Sequence, residues 1–401
     1  MAEQLTVEVA VVGGGPAGLT AAIALASAGI ETALIARPLA TDHRTTALLA
    51  GSVTALKTLG VWAGCAAQAA PLRVMRIVDA TSRLIRAPEI RFAASEIGLE
   101  AFGHNIENRH LMAGLDARAR ELPSLLRIEN EVRTVETGET GVTVSLKHSG
   151  AVSARLTIGA DGRHSLCRTA AGIETDGHSY PQTALTFNLR HTRPHQNIST
   201  EFHIESGPFT LVPLPGDRSS LVCVVEPDEA GLIAALDGPV LDEEIERRSH
   251  SILGKITVEP GRGVFPLAIE TARTFGRSRI ALVGEAAHLM PPIGAQGLNL
   301  GLRDAATIGE LVVAARRDSG DVGAADLLAR YEKLRRADVK SRAMTVDLLN
   351  RTLLSDFLPV QSARGLGLYL VDRIGPLRRA VMREGVAPST LQPRLMRGEA
   401  L

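Results

Sequence analysis

Aromatic residues are scarce in this chain of 401 residues, at 3%, and neither sign of charge is in excess. Lysine plus arginine and aspartate plus glutamate each number 44. Proteins that bind nucleic acids usually combine a basic surface with aromatic side chains that stack on bases. The composition therefore argues against nucleic acid as a partner.

Cysteine is also rare, and long apolar runs are missing. The three cysteines, Cys65, Cys167 and Cys223, are far apart and odd in number, which fits neither a disulfide framework nor a zinc site. We therefore expect a reducing compartment and no bound metal. A strand pattern begins directly after the N-terminus, without a basic and apolar leader, and no uninterrupted apolar run has the length to span a bilayer. These features predict a cytoplasmic protein, attached at most to the inner face of a membrane.

A glycine-rich turn joins the first predicted strand, Val7 to Val12, to the first predicted helix, Pro16 to Ala28. In it Gly13, Gly15 and Gly18 have the G-x-G-x-x-G spacing. Such glycines allow a tight turn, let a pyrophosphate approach the backbone and let helix and strand pack closely, while the helix N-terminus faces the phosphate charge. The turn therefore predicts a dinucleotide site. A glycine-rich turn without a ligand is the alternative.

The second predicted strand departs from this fingerprint. It runs from Thr32 to Ala36 and ends in alanine, where an acidic residue normally holds the ribose hydroxyls. Adenosine and pyrophosphate contacts must then come from the residues that follow, namely Arg37, Asp42 and Arg44. We favour Arg44, because solvated surface charge explains Arg37 equally well.

Arg109 is a second candidate for a cofactor contact. It lies in the first turn of a helix predicted from Arg109 to Leu122, which we expect Asn108 to cap. A cation at this end opposes the helix dipole, so Arg109 gains from an anionic or carbonyl partner. A cofactor phosphate or carbonyl would supply one, although a simple surface arginine is the alternative.

A second strand-to-helix turn follows a predicted meander of three strands between Glu131 and Ile158. Its sequence is GADG, and it places Asp161 and Gly162 at the end of the last strand. Asp161 either serves a ligand or only caps the turn.

A third turn begins after the apolar run Ile280 to Val283, which has the length of a buried strand. Glu285 then lies at the carboxyl end of that strand, where ligands of open α/β sheets bind. We expect its carboxylate to accept hydrogen bonds from sugar-like hydroxyls.

A rigid rim and a helix start follow Glu285. Pro291 stiffens the rim, and Gly294 and Gly297 let the backbone approach a ligand closely. The helical pattern from Leu298 to Ala315 predicts a helix N-terminus that favours a negative charge by ~0.3–1 kcal/mol. Its first amides are those of Gly297, Leu298 and Asn299.

The pattern changes to alternating strands in residues 179–270. We expect this segment to form an antiparallel sheet inserted into the nucleotide-binding domain, which comprises 1–178 and 271–345, with helices in 346–401. The inserted sheet should form one wall of the substrate site. Near the C-terminus, residues 364–384 contain five arginines and two acidic residues. A basic amphipathic helix there would lie on an anionic membrane surface, whereas the alternative is the solvated face of a packed helix.

Three motifs occur together in an order and spacing that resemble the single-component FAD-dependent aromatic hydroxylases. They are GGGPAG at 13–18, GADGRHSLCR at 159–168 and GEAAHLMPPIGAQGLNLGLRD at 284–304. Within that group, PIGAQGLNLGLRDAA and the LNRTLLS segment that begins at Leu349 resemble the ubiquinone-biosynthesis hydroxylases, which act on polyprenylated phenols. The resemblance covers nearly the whole chain.

The resemblance implies an α/β fold with a Rossmann-like FAD-binding domain, an inserted antiparallel substrate domain and a C-terminal helical segment. Gly13, Gly15 and Gly18 would hold the FAD pyrophosphate, Asp161 and Gly162 would serve FAD and a transient nicotinamide, and residue 285 would hold the ribityl chain. The family usually has aspartate at position 285 and glutamate at position 36. Glu285 keeps the charge on a longer side chain, whereas Ala36 loses it.

The activity that the resemblance implies is hydroxylation of the ring of a polyprenylated phenol in ubiquinone biosynthesis. Oxygen would be delivered through a flavin C4a-hydroperoxide, with O2 as co-substrate and NADPH or NADH as electron donor. Partners would be a quinone-biosynthesis complex or a membrane surface. The sequence identifies no catalytic acid or base, and His288 is as compatible with a structural role as with a catalytic one.

Two alternatives share the flavin motifs. One is another flavoenzyme, such as a different aromatic hydroxylase, a prenyl-chain reductase or a halogenase, although the single tryptophan, Trp62, cannot form the W-x-W-x-I-P motif of halogenases. The other is a flavin-holding assembly subunit without turnover. Such a subunit would be expected to lose the residues over the flavin ring, and Pro291, Gly294 and Gly297 are present.

Overall fold

The computed structural model describes residues 4–38, 42–82, 86–354, 365, 367, 369–386 and 392–401. Its strands, numbered in chain order, are β1 (Gln4–Val12), β2 (Thr32–Ala36), β3 (Thr45–Leu49), β4 (Ala69–Pro71), β5 (Val74–Asp79), β6 (Ile90–Ala93), β7 (Gly103–Glu107), β8 (Leu125–Glu129), β9 (Val132–Thr137), β10 (Val142–Leu146), β11 (Ala151–Gly159), β12 (Thr175–His191), β13 (Ile198–Ile204), β14 (Gly207–Leu214), β15 (Arg218–Val225), β16 (Ile256–Val258), β17 (Gly263–Ala272), β18 (Gly276–Arg277), β19 (Ile280–Leu282) and β20 (His288–Leu289). Its α-helices are α1 (Pro16–Ser27), α2 (Ala50–Thr58), α3 (Asn108–Arg120), α4 (Leu166–Ala170), α5 (Pro227–Ala235), α6 (Gly238–Arg248), α7 (Gln296–Arg317), α8 (Ala325–Leu354) and α9 (Gly375–Val386).

A parallel sheet forms the centre of the nucleotide-binding half. Strands β19, β11, β1, β2 and β8 lie side by side in this order and are parallel to one another. Val9, Ala10 and Val11 of β1 are fully buried because both faces of the sheet are covered. Helices α1 and α7 pack against each other, and the hydroxyl of Tyr331 on α8 donates to the carbonyl of Leu282 at 2.7 Å. The main hydrophobic core lies in these layers.

A second sheet has the strand order β20-β17-β12-β15-β14-β13-β5-β6, with β16 paired to β12. Its pairings are antiparallel except that of β13 with β5. On one face, Leu185, Phe202 and Phe209 form a separate core with residues of α5 and α6. Strands β5 and β6 come from outside the segment 179–270 in which we expected this sheet, because β5 pairs with β13 across more than a hundred residues. The division of the chain into domains stays a prediction.

A small third sheet, β3-β7-β4, lies between the two large ones. Asn105 of β7 donates to the carbonyl of Pro213 and to the Ser220 hydroxyl, at 3.0 Å each. These bonds tie the small sheet to β14 and β15 of the second sheet.

Two local predictions were wrong. The sequence pattern from Thr45 to Leu59 predicts a single helix, but the segment forms β3 and then α2, because Thr45 to Leu49 pair with β7. Asn108 was expected to cap the next helix, but it is the first residue of α3, and its side chain bonds Thr46 and Asp42 instead.

Long helices complete the fold. Helix α8 has 30 residues, and α9 packs Met382 and Val386 into a small core with Phe92 of β6. In the described residues, no helix combines the length and apolar character needed to cross a membrane. The parallel and antiparallel sheets and the C-terminal helices confirm the predicted α/β fold class.

Candidate cofactor site

The turns after β1, β11 and β19 meet at one edge of the parallel sheet. Val12 pairs with Gly159, and Gly159 pairs with Leu282, so the three strands end at the same level. The chain order changes direction between β1 and β11, because β2 and β8 lie on one side of β1 while β11 and β19 lie on the other. Ligands of open α/β sheets bind in the crevice at such a switch point. The three sequence motifs therefore share one site.

The three glycines of the first turn have different surroundings. A side chain at Gly13 would collide with the Ala160 carbonyl, and one at Gly18 would collide with the Gly13 carbonyl. At Gly15, by contrast, an added Cβ would meet no protein atom within 4 Å. Gly15 is the N-cap of α1, where no side chain caps the helix and the first turn carries no acidic residue. Such an open helix N-terminus is suited to hold a phosphate on backbone amides.

The second turn is organised by Asp161. Its carboxylate accepts hydrogen bonds from the Ser165 hydroxyl at 2.6 Å and from the Cys167 amide at 3.1 Å. Gly162 follows with φ +79°. Asp161 therefore has the capping role that the sequence left open, and it lies beside the glycine-rich turn. The predicted contacts of Asp161 and Gly162 with FAD and nicotinamide stay predictions.

Glu285 lies in a short 3-10 turn, Gly284–Ala286, directly after β19. Its side chain is exposed and makes no hydrogen bond or ion pair within the described part of the chain. The hydrogen bond that Arg44 donates to Asp42 raises the pKa of Arg44, and the negative charge of Glu285 raises it as well. Arg44 and Glu285, which the sequence suggested separately, therefore interact electrostatically. An exposed carboxylate at this edge can accept hydrogen bonds from the hydroxyl groups of a ligand.

Arg44 is also held from two other sides. It forms a bidentate pair with Asp42, at 2.8 Å for the shorter bond between Nη2 and Oδ2. Its guanidinium lies over the ring of Phe265 from the second sheet, 5.2 Å from the ring centre. Arg44 therefore stands where the two halves of the molecule meet, with half of its side chain exposed.

The rim after β20 has the irregular backbone that the proline pair predicted. Pro291 is buried, and the short 3-10 turn Ile293–Ala295 contains Gly294 with φ +65°. Ala295 has φ +55°, a left-handed conformation that residues other than glycine rarely adopt. Such strain is often found where a backbone is shaped around a ligand.

Helix α7 begins at Gln296, two residues before the predicted start. Gly297 and Leu298 therefore lie among its first amides, which have no partner within the helix, whereas Asn299 is one position further on. No side chain caps this helix and its first turn has no acidic residue. An added Cβ at Gly297 would meet no protein atom within 4 Å. A second open helix N-terminus thus faces the site.

The Asn299 side chain fastens this helix start to the small sheet. It accepts from the Leu49 amide at 2.8 Å and from the Ser52 hydroxyl at 2.7 Å. It donates to the carbonyl oxygens of Ala47 at 2.8 Å and Ala295 at 2.6 Å. The side chain is therefore used within the protein, and its predicted part in cofactor binding stays a prediction.

Arg109 is paired within the protein. Its guanidinium is 2.8 Å from the buried carboxylate of Glu107, which also binds Arg218 at 3.0 Å. Nearly half of the Arg109 side chain is exposed. Glu107 therefore supplies the anionic partner that a cation in the first turn of α3 gains from. A contact of Arg109 with a cofactor stays a prediction.

Asp304 of α7 holds the third turn in place by accepting a hydrogen bond from its backbone, a role that no sequence pattern indicated. It is 1% exposed, and its Oδ2 accepts from the Gly284 amide at 3.0 Å and from His288 Nε2 at 2.7 Å. Its Oδ1 accepts from Arg335 Nε at 2.6 Å. Burial raises the pKa of Asp304, but the charges of His288 and Arg335 outweigh it and lower the pKa to about 2. The His288 side chain is fully buried and paired with Asp304.

Comparison with known proteins gives the same picture. The family model described as "FAD binding domain" matches residues 6–345. The ubiquinone hydroxylase UbiL of Rhodospirillum rubrum is 36% identical over 405 residues, which cover 98% of this chain and 93% of that protein. The 3-demethoxyubiquinol 3-hydroxylase of Escherichia coli is 29% identical over 94% of this chain and 97% of that protein.

Solved structures share the fold at lower identity. The p-nitrophenol 4-monooxygenase PnpA of Pseudomonas putida has a TM-score of 0.79 at 18% identity, over 96% of this chain and all of that chain. A variant of Klebsiella pneumoniae HpxO complexed with FAD has a TM-score of 0.74 at 21% identity, over 95% of this chain and 99% of that chain.

Proposed function

Because the chain belongs to the FAD-dependent ubiquinone-biosynthesis hydroxylases, we propose that it hydroxylates the aromatic ring of a polyprenylated phenol on the route to ubiquinone. It is an FAD-dependent aromatic monooxygenase. The observation that carries the proposal is the single site formed by the three turns, in a chain that matches a ubiquinone hydroxylase and a 3-demethoxyubiquinol 3-hydroxylase over nearly its whole length.

The residues present fit FAD. Gly15 leaves room for the pyrophosphate at the N-terminus of α1, and the exposed carboxylate of Glu285 suits the ribityl hydroxyls. The second open helix N-terminus, at Gly297, suits the negative charge of a reduced flavin ring. When bound, FAD would supply the oxygen chemistry, with O2 as co-substrate and NADPH or NADH as the proposed electron donor.

The protein itself must hold the phenol and exclude water, because water would divert the reduced cofactor into peroxide release. The second sheet supplies apolar side chains for this purpose. Ala184, Val224 and Leu267 form a buried cluster on its side that faces α8, against Ala343. Such a wall suits an apolar ligand with a prenyl tail.

The decisive experiment deletes the gene in a strain that has no second hydroxylase of this type. We expect the lipid extract to lack ubiquinone and to accumulate a prenylated precursor short of one hydroxyl, and the wild-type protein should restore ubiquinone. Purified holoprotein should oxidise NADPH or NADH faster when the precursor is added. Normal ubiquinone in the deletion strain would leave another aromatic hydroxylase or a flavin-holding subunit as the explanation.

We also propose peripheral contact with a membrane through the C-terminal helical segment. Leu370, Ile374, Leu377 and Val381 follow one another at helical spacing and are each 39–45% exposed. The exposed Arg373, Arg379 and Arg383 lie on the same segment, whereas Arg378 is paired with Glu96 and Arg364 lies outside the described residues. An apolar stripe flanked by arginines suits an anionic bilayer surface.

This contact predicts binding to vesicles that contain anionic lipid, which co-sedimentation measures. Leu377→Glu combined with Val381→Glu should weaken binding, because two charges would then enter the apolar boundary of the bilayer. Leu232→Glu is the matched control, since Leu232 is 72% exposed on α5. Equal binding of both variants would place the contact elsewhere.

A further inference from the structure

The two faces of the second sheet have different neighbours. Phe202 of β13 and Phe209 of β14 face the core formed with α5 and α6. Side chains alternate along a strand, so Glu201, His203 and Thr210 point to the opposite face, which we call the inner face. Val222 and Val224 of β15 also lie on it, since Leu221 and Cys223 belong to the core.

The inner face is turned toward the nucleotide-binding half. Val222 and Val224 pack with Ala343 of α8. Thr186 and Val222 line a small cavity together with Arg44, whose guanidinium lies over Phe265 of the second sheet. Glu201 therefore lies on the same wall of the sheet that the proposed function assigns to the phenol.

Glu201 and His203 form a pair on this face. His203 Nε2 lies 2.8 Å from Glu201 Oε1, and the Thr210 hydroxyl donates to Oε2 at 3.3 Å. The His203 side chain is 11% exposed and that of Glu201 is 25% exposed. No arginine or lysine pairs with Glu201 in the described part of the chain, so histidine and threonine are its protein partners.

The Glu201 carboxylate keeps unused acceptor capacity. An ionised carboxylate has about four lone-pair sites, and the two protein partners occupy two of them. Burial raises the pKa of Glu201. The hydrogen bond and the charge of His203 lower the pKa by more than burial raises it, so the pKa of Glu201 lies below its ordinary value. The group is therefore an ionised acceptor whose remaining positions are open to a ligand.

A purely structural pair is the competing explanation. Taking a carboxylate partly out of water is unfavourable unless charged partners offset it. Neighbouring inner-face positions are filled by apolar residues such as Val212, Val222 and Val224, so packing alone does not require a carboxylate here. The Glu201 carboxylate has open acceptor positions and lies on the face proposed to contact the substrate. A polar group of the substrate that binds to it explains the carboxylate better than packing does.

We propose that Glu201, held in place by His203, accepts the hydrogen bond of the substrate's phenolic hydroxyl and acts as the general base of ring hydroxylation. This assignment rests on the proposed function. Glu201 would be a catalytic residue, and His203 a positioning residue that orients the carboxylate and steadies its charge.

The phenol O–H bond breaks, its proton moves to Glu201, and its electron pair enters the ring as a ring carbon ortho or para to the hydroxyl forms a bond to the outer oxygen of the peroxide-level oxidant that O2 and the reduced cofactor would supply. The O–O bond of that oxidant breaks, and its other oxygen leaves with the bonding electron pair. That carbon then loses its own proton to water, its electrons restore the aromatic ring, and Glu201 returns the first proton to the phenol oxygen. The ring is oxidised by two electrons, the oxygen is reduced, and the carboxylate ends as it began.

The test compares Glu201→Gln with wild-type holoprotein on a prenylated phenol. General base catalysis contributes about 10²–10⁴-fold, so we expect kcat for hydroxylation to fall at least about 100-fold. KM, FAD content and the rate of flavin reduction by the nicotinamide should change by less than about threefold. Peroxide released per NADPH consumed should rise, because the reduced flavin still reacts with oxygen while the ring is a poorer acceptor.

Glu243→Gln, on the exposed side of α6, is the matched control and should keep wild-type kcat and coupling. Glu201→Asp covers the case in which the amide variant fails to fold. It retains a carboxylate that is one methylene shorter, so kcat should fall while flavin reduction stays unchanged.

Wild-type kcat and coupling in Glu201→Gln, or in Glu201→Asp if only that variant folds, would overturn the assignment. The proposed function would survive that result, because the wild-type protein would still hydroxylate the phenol. A wild-type protein that hydroxylates no prenylated phenol would instead remove the proposed function, and with it the assignment of Glu201.

Discussion

Replacing Asp304 with asparagine is expected to lower the free energy of unfolding by about 3–5 kcal/mol, the usual cost of removing one partner from a buried ion pair. Asp304 accepts from Gly284, His288 and Arg335 and is nearly inaccessible. An asparagine side chain has one acceptor oxygen and one NH2 donor group. At least one of the three buried donors would therefore face the NH2 group and lose its hydrogen bond. Arg335 is 3% exposed, and in this variant its buried positive charge would lose the negative charge of Asp304 that now pairs with it.

Urea unfolding, followed by circular dichroism on apoprotein, measures this loss without a contribution from bound FAD. Asp116→Asn is the control, because Asp116 also pairs with two arginines but is 36% exposed. Exposed pairs contribute about 0–1 kcal/mol, so this variant should unfold close to the wild type. Equal unfolding midpoints for the two variants would show that Asp304 is not the support of the third turn.

The common site was predictable because it depends on local patterns. Each motif is a strand followed by a turn, and the carboxyl ends of parallel strands meet at one edge of a sheet. Glu285 and the glycine-rich turn could therefore be placed together from the sequence, and the register of β1, β11 and β19 confirms that these turns are neighbours.

The support of the site could not be predicted in this way. Asp304 and Arg335 are 31 residues apart on two helices, and no local pattern says which polar positions of a helix face each other across a core. Strand β3 was mistaken for helix because its apolar residues do not alternate, and only its partner β7, far away in sequence, makes it a strand. The sequence likewise carried no signal for the proposed role of Glu201, since its face of the sheet is set by register.

Gly15→Val is expected to weaken FAD binding roughly ten- to a hundredfold while leaving the fold intact. The added side chain would enter the space outside the N-terminus of α1, where no protein atom lies within 4 Å. It would hold the pyrophosphate away from the amides of the helix, and losing a charge-assisted hydrogen bond costs about 1.5–3 kcal/mol. Gly15 has φ −69° and ψ 173°, an extended conformation that valine adopts without strain.

Substitutions of the other two glycines of the turn would not separate an effect on FAD binding from an effect on folding. A side chain at Gly13 or Gly18 would collide with backbone carbonyls, so those variants should lose the fold together with the cofactor. Gly231→Val is the matched control, because Gly231 also has no protein atom near its Cβ position but lies exposed on α5. Titration of each apoprotein with FAD, followed by flavin fluorescence, gives the affinities, and thermal unfolding of the same samples checks the fold. Wild-type FAD affinity in Gly15→Val would mean that the pyrophosphate does not lie at the N-terminus of α1, and the nucleotide would then have to enter the crevice from the side of β19.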